Sequence, residues 1–235
     1  MIHFGERDCS VQRRYQKVVE EAPCIAMPDT LRAQLHLAAV NLAKSVNYRN
    51  AGTCEFLYDV LRGEVYFIEV NARIQVEHPV TEMVTGRDLV QEQLRIAGGQ
   101  GLSVRQKDVV LTGHAIECRI NAEDTTRDFV PVPGTVTRWS PPEGEGIRLD
   151  SHISEGAVIP PFYDSMIGKL IVHAETREKA IAKMADALDN FTVEGVPTTI
   201  PLHRTILASD AFQSNHFHTR WLEQDLLASR AITAE

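Results

Sequence analysis

The feature that most constrains the fold is a stretch of alternating character, Tyr66–Pro79. Successive side chains of an extended segment point to opposite faces, so the stretch predicts a strand with one polar and one apolar face. The polar positions hold two carboxylates, two amides and a guanidinium, namely Glu69, Asn71, Arg73, Gln75 and Glu77. A half-buried strand is the usual meaning of alternation. Here the mixed chemistry of the polar face instead favours a site for a divalent cation and a small oxyanion.

Overall composition excludes several classes of protein. The chain has 235 residues, a formal net charge of −8 and no block of Lys and Arg, so nucleic acid is not an expected partner. Its apolar runs are too short to span a membrane, and its first residues have no signal-peptide pattern. The cysteines form no C-x-x-C pair, which predicts neither structural zinc nor a disulfide framework and favours the cytoplasm.

Hydrophobic spacing and turn residues predict an α+β chain with an internal boundary at about 99–108. The predicted helices cover residues 29–47, 87–97, 176–191, 201–208 and 218–228. The predicted strands cover residues 2–9, 52–58, 65–70, 113–122, 134–139, 146–152 and 166–173, the last four forming a small antiparallel sheet.

Two glutamates on neighbouring strands are the strongest candidates for binding a metal ion. Glu55 falls on one strand of the predicted hairpin and Glu69 on the other. Mg²⁺ prefers oxygen ligands, usually one or two carboxylates together with phosphate oxygens, and Asn71 can add a neutral oxygen. Exposed strand carboxylates are the commoner fate of a glutamate, but Glu55 lies in a largely apolar strand, where a buried carboxylate needs a partner.

The residues that follow Asn71 suit a small anion. Arg73 can hold a planar anion with two parallel hydrogen bonds, while Gln75 and the backbone N–H of Val76 add donors. Glu77 is then a candidate general base. A surface ion pair between Arg73 and Glu77 explains the same residues equally well.

Other polar residues are less informative. Arg119, which shares a strand face with Asn121, is by itself typical of a surface residue, and the segment 163–169 fits a functional loop or a polar turn. His216 and His218 fit a surface turn better than a metal site, because no Cys or carboxylate set accompanies them.

Four segments, residues 5–23, 67–79, 117–124 and 163–169, resemble the ATP-grasp biotin carboxylases in the family's order. The resemblance runs from about residue 3 to about residue 224. It departs from the family at Tyr15, where a bacterial member has His, and at Ala72, where Thr occurs. It implies part of an ATP-grasp subdomain over residues 1–100. A biotin carboxylase C-terminal domain with a small antiparallel sheet and helices follows over residues 108–228.

The resemblance also implies roles for individual residues. Glu55, Glu69 and Asn71 match ligands of Mg²⁺ or Mn²⁺. Arg73, Gln75 and Val76 match the bicarbonate cradle, Glu77 the base that deprotonates bicarbonate, and Arg119 the group that stabilises the enolate oxygen of biotin. The residues that match contacts to ATP are Gln12, Tyr15, Lys17, Glu55 and Leu57.

The implied activity is carboxylation of biotin on a carrier protein by a ligase that uses ATP and bicarbonate, as in acetyl-CoA carboxylase of fatty acid biosynthesis or related acyl-CoA and pyruvate carboxylases. The implied partners are the biotin carboxyl carrier protein, a carboxyltransferase and a second copy of the chain. The resemblance starts past the family's midpoint, without the lid lysines and glycine-rich loop, so the chain alone is expected to be inactive. The alternatives are a ligase of another ATP-grasp class and a non-catalytic dimerisation or interaction module.

Overall fold

The structure, a computed structural model, describes residues 1–229. It consists of short helices and mainly antiparallel strands, which confirms the α+β class. The elements are, in chain order, β1 Asp8–Arg13, β2 Gln16–Ala22, α1 Asp29–Ser45, β3 Thr53–Asp59, β4 Glu64–Asn71, α2 His78–Thr85, α3 Leu89–Ala97, β5 His114–Asn121, β6 Glu123–Asp124, β7 Val130–Pro131, β8 Gly134–Thr135, β9 Arg138–Ser140, β10 Ile147–Ser151, β11 Val158–Ile159, β12 Met166–Ala174, α4 Arg177–Asp189, β13 Thr192–Glu194, α5 Ile200–Ala208 and α6 Asp210–Gln213. A 3₁₀ turn, Gln106–Asp108, precedes β5, and a π-helical turn, Leu222–Leu227, follows α6.

The chain divides into two compact units. The first unit contains Met1–Arg7 and Ala22–Thr112, and the second contains Asp8–Glu21 and the described residues from Gly113 to Ser229. The β1–β2 hairpin therefore belongs to the second unit, although the resemblance had placed residues 1–100 in one domain. No helix of the described residues combines the length and apolarity needed to cross a membrane.

The first unit is built from α1, the β3–β4 hairpin, α2 and α3. Arg7 joins two of these elements, because its guanidinium donates to the hydroxyls of Thr53 on β3 at 3.1 Å and Thr81 on α2 at 2.9 Å. Helix α2 carries the buried side chains Val80 and Val84. It ends at Gly86, whose φ of +63° is the left-handed conformation that commonly terminates helices.

The second unit is organised around a five-stranded sheet with the order β1-β2-β5-β12-β10. Strands β5 and β12 pair antiparallel over most of their length, and α4 and α5 contribute buried side chains to the same core. The hairpin contributes too, since Val11 and Val19 are almost completely buried in this core. Its tip is a two-residue turn in which Arg14 and Tyr15 both have positive φ, the backbone of a tight β-hairpin.

Several sequence-based boundaries are wrong. The first strand begins at Asp8 rather than near residue 2, and the predicted strand 134–139 is divided between β8 and β9. The extended segment predicted to run to Pro79 stops at Asn71, and α2 was missed. Pro79 lies in the first turn of α2, where a missing N–H costs nothing, so this proline begins a helix rather than only ending a strand.

Candidate functional site

The β3–β4 hairpin brings two carboxylates together. Glu55 lies directly opposite Glu69 in the strand pairing. The side-chain amide of Asn71 donates to Glu55 Oε1 at 3.1 Å and to Glu69 Oε1 at 2.8 Å, so both carboxylates lie on one face of the hairpin. Among the described residues, no group of three or more His, Cys, Asp or Glu side chains is arranged to hold a metal ion. A cation between Glu55 and Glu69 would therefore complete its shell with Asn71, phosphate oxygens or water.

The hairpin surface around these carboxylates is open and apolar. Tyr66, Phe67 and Ile68 of β4 are each about half exposed, and so is Leu57 of β3. Because consecutive residues of one strand face opposite sides, exposure at consecutive positions means that neither face of β4 is covered within this unit.

Arg73, Gln75 and Glu77 lie in the irregular segment between β4 and α2, not on a strand as predicted. Arg73 Nη1 donates to the carbonyl oxygen of Ile74 at 3.1 Å and approaches Gln75 Oε1 at 3.4 Å. Gln75 Nε2 lies 3.4 Å from Glu55 Oε1, which connects this segment to the carboxylate pair. The backbone of Gln75 is fixed by His78, whose Nδ1 lies 2.7 Å from its carbonyl oxygen. Gln75 and Glu77 are buried, whereas Arg73 is exposed.

Arg119 of β5 is held by a buried carboxylate of the second unit. Its Nε and Nη2 donate to Glu20 Oε1 at 2.6 and 2.5 Å, and Glu20 is completely buried in β2. Charge-assisted bonds of this length are the strong kind, and a planar guanidinium that donates through two nitrogens is fixed in direction. Arg119 is thus an ordered residue on a sheet, unlike the mobile surface arginine that a lone strand Arg usually is.

Gln12, Tyr15 and Lys17 share the β1–β2 hairpin. Gln12 pairs with Lys17 across the two strands, and Tyr15 projects from the turn with 91% of its surface exposed. Lys17 also lines a small pocket that includes Arg119 and Asn121. Of these three residues, Lys17 therefore lies near the arginine that Glu20 holds.

Comparison with known proteins identifies the family. Residues 117–224 match the family model described as "Biotin carboxylase C-terminal domain", and residues 1–105 match "Carbamoyl-phosphate synthase L chain, ATP binding domain". Biotin carboxylase 1 of Bacillus subtilis is 53% identical over 222 residues, which is 94% of this chain and 49% of that protein. The chain belongs to the biotin carboxylase family.

Other members of the family are similar over nearly the whole chain. One pyruvate carboxylase subunit from Methanothermobacter thermautotrophicus is 50% identical over 235 residues, covering 100% of this chain and 47% of that protein. The biotin carboxylase domain of Hydrogenobacter thermophilus 2-oxoglutarate carboxylase, solved as a dimer with MgADP, ADP and bicarbonate, superposes with a TM-score of 0.92 at 49% identity. That superposition covers 95% of this chain and 49% of the solved one. The chain thus spans about half the length of the relatives it matches.

Three residues next to Arg119 were missed by the sequence analysis. Glu20 accepts from its guanidinium, and Thr199 and His203 contact its carbonyl oxygen. The signal for Glu20 is a pair of consecutive glutamates in an otherwise apolar strand, which requires buried partners. No local signal marks Thr199 or His203, since 80 and 84 residues separate them from Arg119.

Proposed function

We propose that this chain is part of an ATP-dependent biotin carboxylase, a ligase that carboxylates carrier-bound biotin with bicarbonate. The observation that carries the proposal is the arrangement of Glu55, Asn71 and Glu69, in which two facing carboxylates share one amide donor. The two carboxylates are hard oxygen ligands, which fits Mg²⁺ or Mn²⁺. The Asn71 amide turns its nitrogen toward both carboxylates in the absence of a cation, and it would turn over to present its oxygen to the metal ion. Such an ion would neutralise phosphate charge in ATP.

The bicarbonate site in this proposal is the segment after β4. Arg73, Gln75 and the backbone N–H of Val76 supply donors for one small anion. Glu77 takes the proton of bicarbonate, and the oxygen freed attacks the γ-phosphorus of ATP, giving ADP and carboxyphosphate. Because Glu77 is only 1% exposed, proton transfer there takes place away from bulk water.

Arg119 would act on biotin. Carboxyphosphate breaks down to CO₂ and phosphate, and the phosphate accepts the proton of biotin N1, which then attacks CO₂. Negative charge develops on the ureido oxygen of biotin during this step, and a fixed guanidinium stabilises it. Gln12, Tyr15, Lys17 and Leu57 are proposed to contact ATP.

Another ATP-grasp ligase and a non-catalytic interaction module are the rival functions. Biotin carboxylase 1 of Bacillus subtilis and the pyruvate carboxylase subunit of Methanothermobacter thermautotrophicus match both halves of this chain at 53% and 50% identity, which favours a carboxylase over another ATP-grasp ligase. The module has one observation in its favour, the exposed apolar surface of β4. A carboxylase component and a module differ in whether the chain binds a metal–nucleotide complex.

The metal assignment is tested by titrating Mn²⁺ and ADP into the chain and following free Mn²⁺ by electron paramagnetic resonance. Glu55→Gln and Glu69→Gln should each weaken Mn²⁺–ADP binding by about tenfold or more, since each removes a charge-assisted contact. Glu64→Gln is the matched control, because Glu64 lies on the same strand and hydrogen-bonds to Tyr66. Equal binding by all four proteins would exclude Glu55 and Glu69 as the metal ligands.

The proposed partners are the biotin carboxyl carrier protein, a carboxyltransferase and a second copy of the chain, in the cytoplasm. For the homodimer, the family resemblance points to residues 139–148. At the start of this segment Trp139 packs edge-to-face on Phe191, with ring centroids 5.0 Å apart.

Sedimentation equilibrium should detect a dimer at tens of micromolar, the range of weak association. Glu145 stands where a relative has Phe, so Glu145→Phe should strengthen the dimer by adding apolar contact area. Only monomer at these concentrations, for both proteins, would exclude a homodimer of this affinity.

A further inference from the structure

The backbone of Arg119 is bonded to the first turn of α5. Thr199 Oγ1 donates to the Arg119 carbonyl oxygen at 3.0 Å and accepts from the backbone N–H of Asn121, also at 3.0 Å. The backbone N–H of Thr199 donates to the carbonyl oxygen of Asn121 at 3.1 Å. One threonine therefore makes three hydrogen bonds to the end of β5, two through its hydroxyl and one through its backbone N–H.

Thr199 makes these bonds instead of capping its own helix. It occupies the N-cap position of α5, where a threonine oxygen ordinarily accepts from a free N–H of the first turn. No such side-chain bond is present at this helix. The hydroxyl is thus directed to β5, at the expense of the local bond that threonine normally makes.

His203, one turn later on α5, makes a second bond to the same carbonyl. Its Nε2 lies 2.7 Å from the Arg119 oxygen, so the ring must carry its proton on Nε2 to donate. Burial lowers the pKa of His203 to about 4, which keeps the ring neutral near pH 7. Nδ1 is then a bare acceptor, and it is buried with no hydrogen-bond partner among the described residues.

An unpaired buried acceptor destabilises a folded protein. Stability alone would therefore favour an apolar residue at position 203, because the position is completely buried on a helix whose Leu202, Ile206 and Leu207 belong to the hydrophobic core. The histidine needs another explanation. Among the described residues, its one side-chain hydrogen bond runs from Nε2 to the Arg119 carbonyl oxygen, and an apolar residue cannot replace that bond.

We propose that Thr199 and His203 are positioning residues that fix the backbone of Arg119, while Glu20 fixes its guanidinium. The inference rests on the proposed function in assigning Arg119 to biotin. Two bonds to one carbonyl and one ion pair at the far end of the side chain restrain both ends of Arg119. Restraint of this kind matters because small displacements of a reacting group lower rates steeply.

The first test uses the chain itself. In ¹⁵N-labelled protein, exchange of the Arg119 Nε–H with water reports how firmly Glu20 holds it. His203→Leu removes the hydrogen bond to the Arg119 carbonyl oxygen and so loosens the whole residue. It should accelerate exchange of the Nε–H by about tenfold, the factor that corresponds to the free energy of one hydrogen bond. His203→Gln keeps an amide donor and should retain slow exchange. Thr199→Val and Thr199→Ser form a second pair of the same design, with the serine variant retaining the hydroxyl.

A purely structural role predicts a different pattern. If His203 only supported the core, His203→Leu would leave Arg119 Nε–H exchange unchanged, or His203→Gln would accelerate it equally. Either result overturns the proposal. We also expect the free energy of unfolding of His203→Leu to equal or exceed that of the parent chain, because the unpaired Nδ1 is removed.

The second test uses enzyme reconstituted with the half of the relatives' length that this chain does not span. His203→Leu should lower kcat/KM for biotin about tenfold and change kcat/KM for bicarbonate-dependent ATP hydrolysis without biotin by less than about twofold, with His203→Gln restoring both. Equal losses in the two reactions contradict a role specific to Arg119. If the reconstituted parent enzyme has no activity, the proposed function fails, whereas the exchange experiment still decides whether Arg119 is positioned.

Discussion

Bicarbonate-dependent ATP hydrolysis by this chain alone is expected to be at least about a hundredfold slower than by the same chain reconstituted with the half of its relatives that it does not span. Phosphoryl transfer requires cations around the phosphates and a site from which water is excluded. In the first unit, Glu55 and Glu69 lie on a hairpin whose β4 strand is exposed on both faces. Two missing charge-assisted contacts of about 1.5–3 kcal/mol each would account for that factor or more.

The measurement is phosphate release with ATP, Mg²⁺, bicarbonate and free biotin, with and without the complementary polypeptide. Omitting bicarbonate corrects for contaminating ATPase. A chain that turns over alone at the rate of the reconstituted enzyme would show that the exposed hairpin is sufficient for catalysis.

Arg177→Met is expected to lower the free energy of unfolding by about 3–5 kcal/mol, as is found when one partner of a buried ion pair is removed. Arg177 donates from Nε and Nη2 to the two oxygens of Glu21 at 2.7 and 2.9 Å, with both side chains about 5% exposed. His114 Nε2 lies 2.8 Å from the same carboxylate, and Arg177 also donates to the carbonyl oxygens of Phe212 and Gln213. Removing the guanidinium leaves a buried charge and two carbonyls without that donor.

Urea denaturation at pH 7 measures this effect, and Arg204→Met is the control. Arg204 pairs with Asp189 at 2.8 Å, but their side chains are 42% and 69% exposed, so the pair itself should be worth less than about 1 kcal/mol. A similar decrease in the free energy of unfolding for both variants would mean that burial does not make the Arg177–Glu21 ion pair more important for stability than an exposed pair.

The decrease in the free energy of unfolding caused by Arg177→Met should become smaller as the pH is lowered. Burial by itself raises the pKa of Glu21, but hydrogen bonds from His114 and Arg177 and their charges outweigh burial and hold it below its usual value. A carboxyl group with a lowered pKa stabilises the fold above its unfolded pKa of about 4.3, and this stabilisation is lost as the pH falls through the folded-state value. The variant has less of this stabilisation to lose, so the two stability curves should converge below about pH 4.

The hairpin could be predicted from the sequence because its signals are local. Alternation and Arg62-Gly63 at the turn gave strands within one or two residues of β3 and β4. The same alternation predicted too long a strand after Asn71. Val80 and Val84 also fit a helical spacing of four. Burial of both side chains favours the helix α2 over a continued strand.

The surroundings of Arg119 could not be predicted in the same way. Its charge partner is 99 residues earlier in the chain and its two carbonyl partners are at least 80 residues later. No spacing rule connects residues so far apart, because only the sheet order β2-β5 and the packing of α5 bring them together. The family resemblance assigned Arg119 a role without revealing what holds it.

The β1–β2 hairpin has a consequence for how this protein can be dissected. The chain passes between its two units three times, at residues 7–8, 21–22 and 112–113, so one cut near residue 105 does not separate them. A fragment of residues 108–229 would contain Arg119, His114 and Arg177 but neither Glu20 nor Glu21, and its sheet would lose two of its five strands. In this protein a domain boundary read from linear sequence is therefore not a place to divide the gene: the second folding unit is discontinuous, and its two segments must be expressed together.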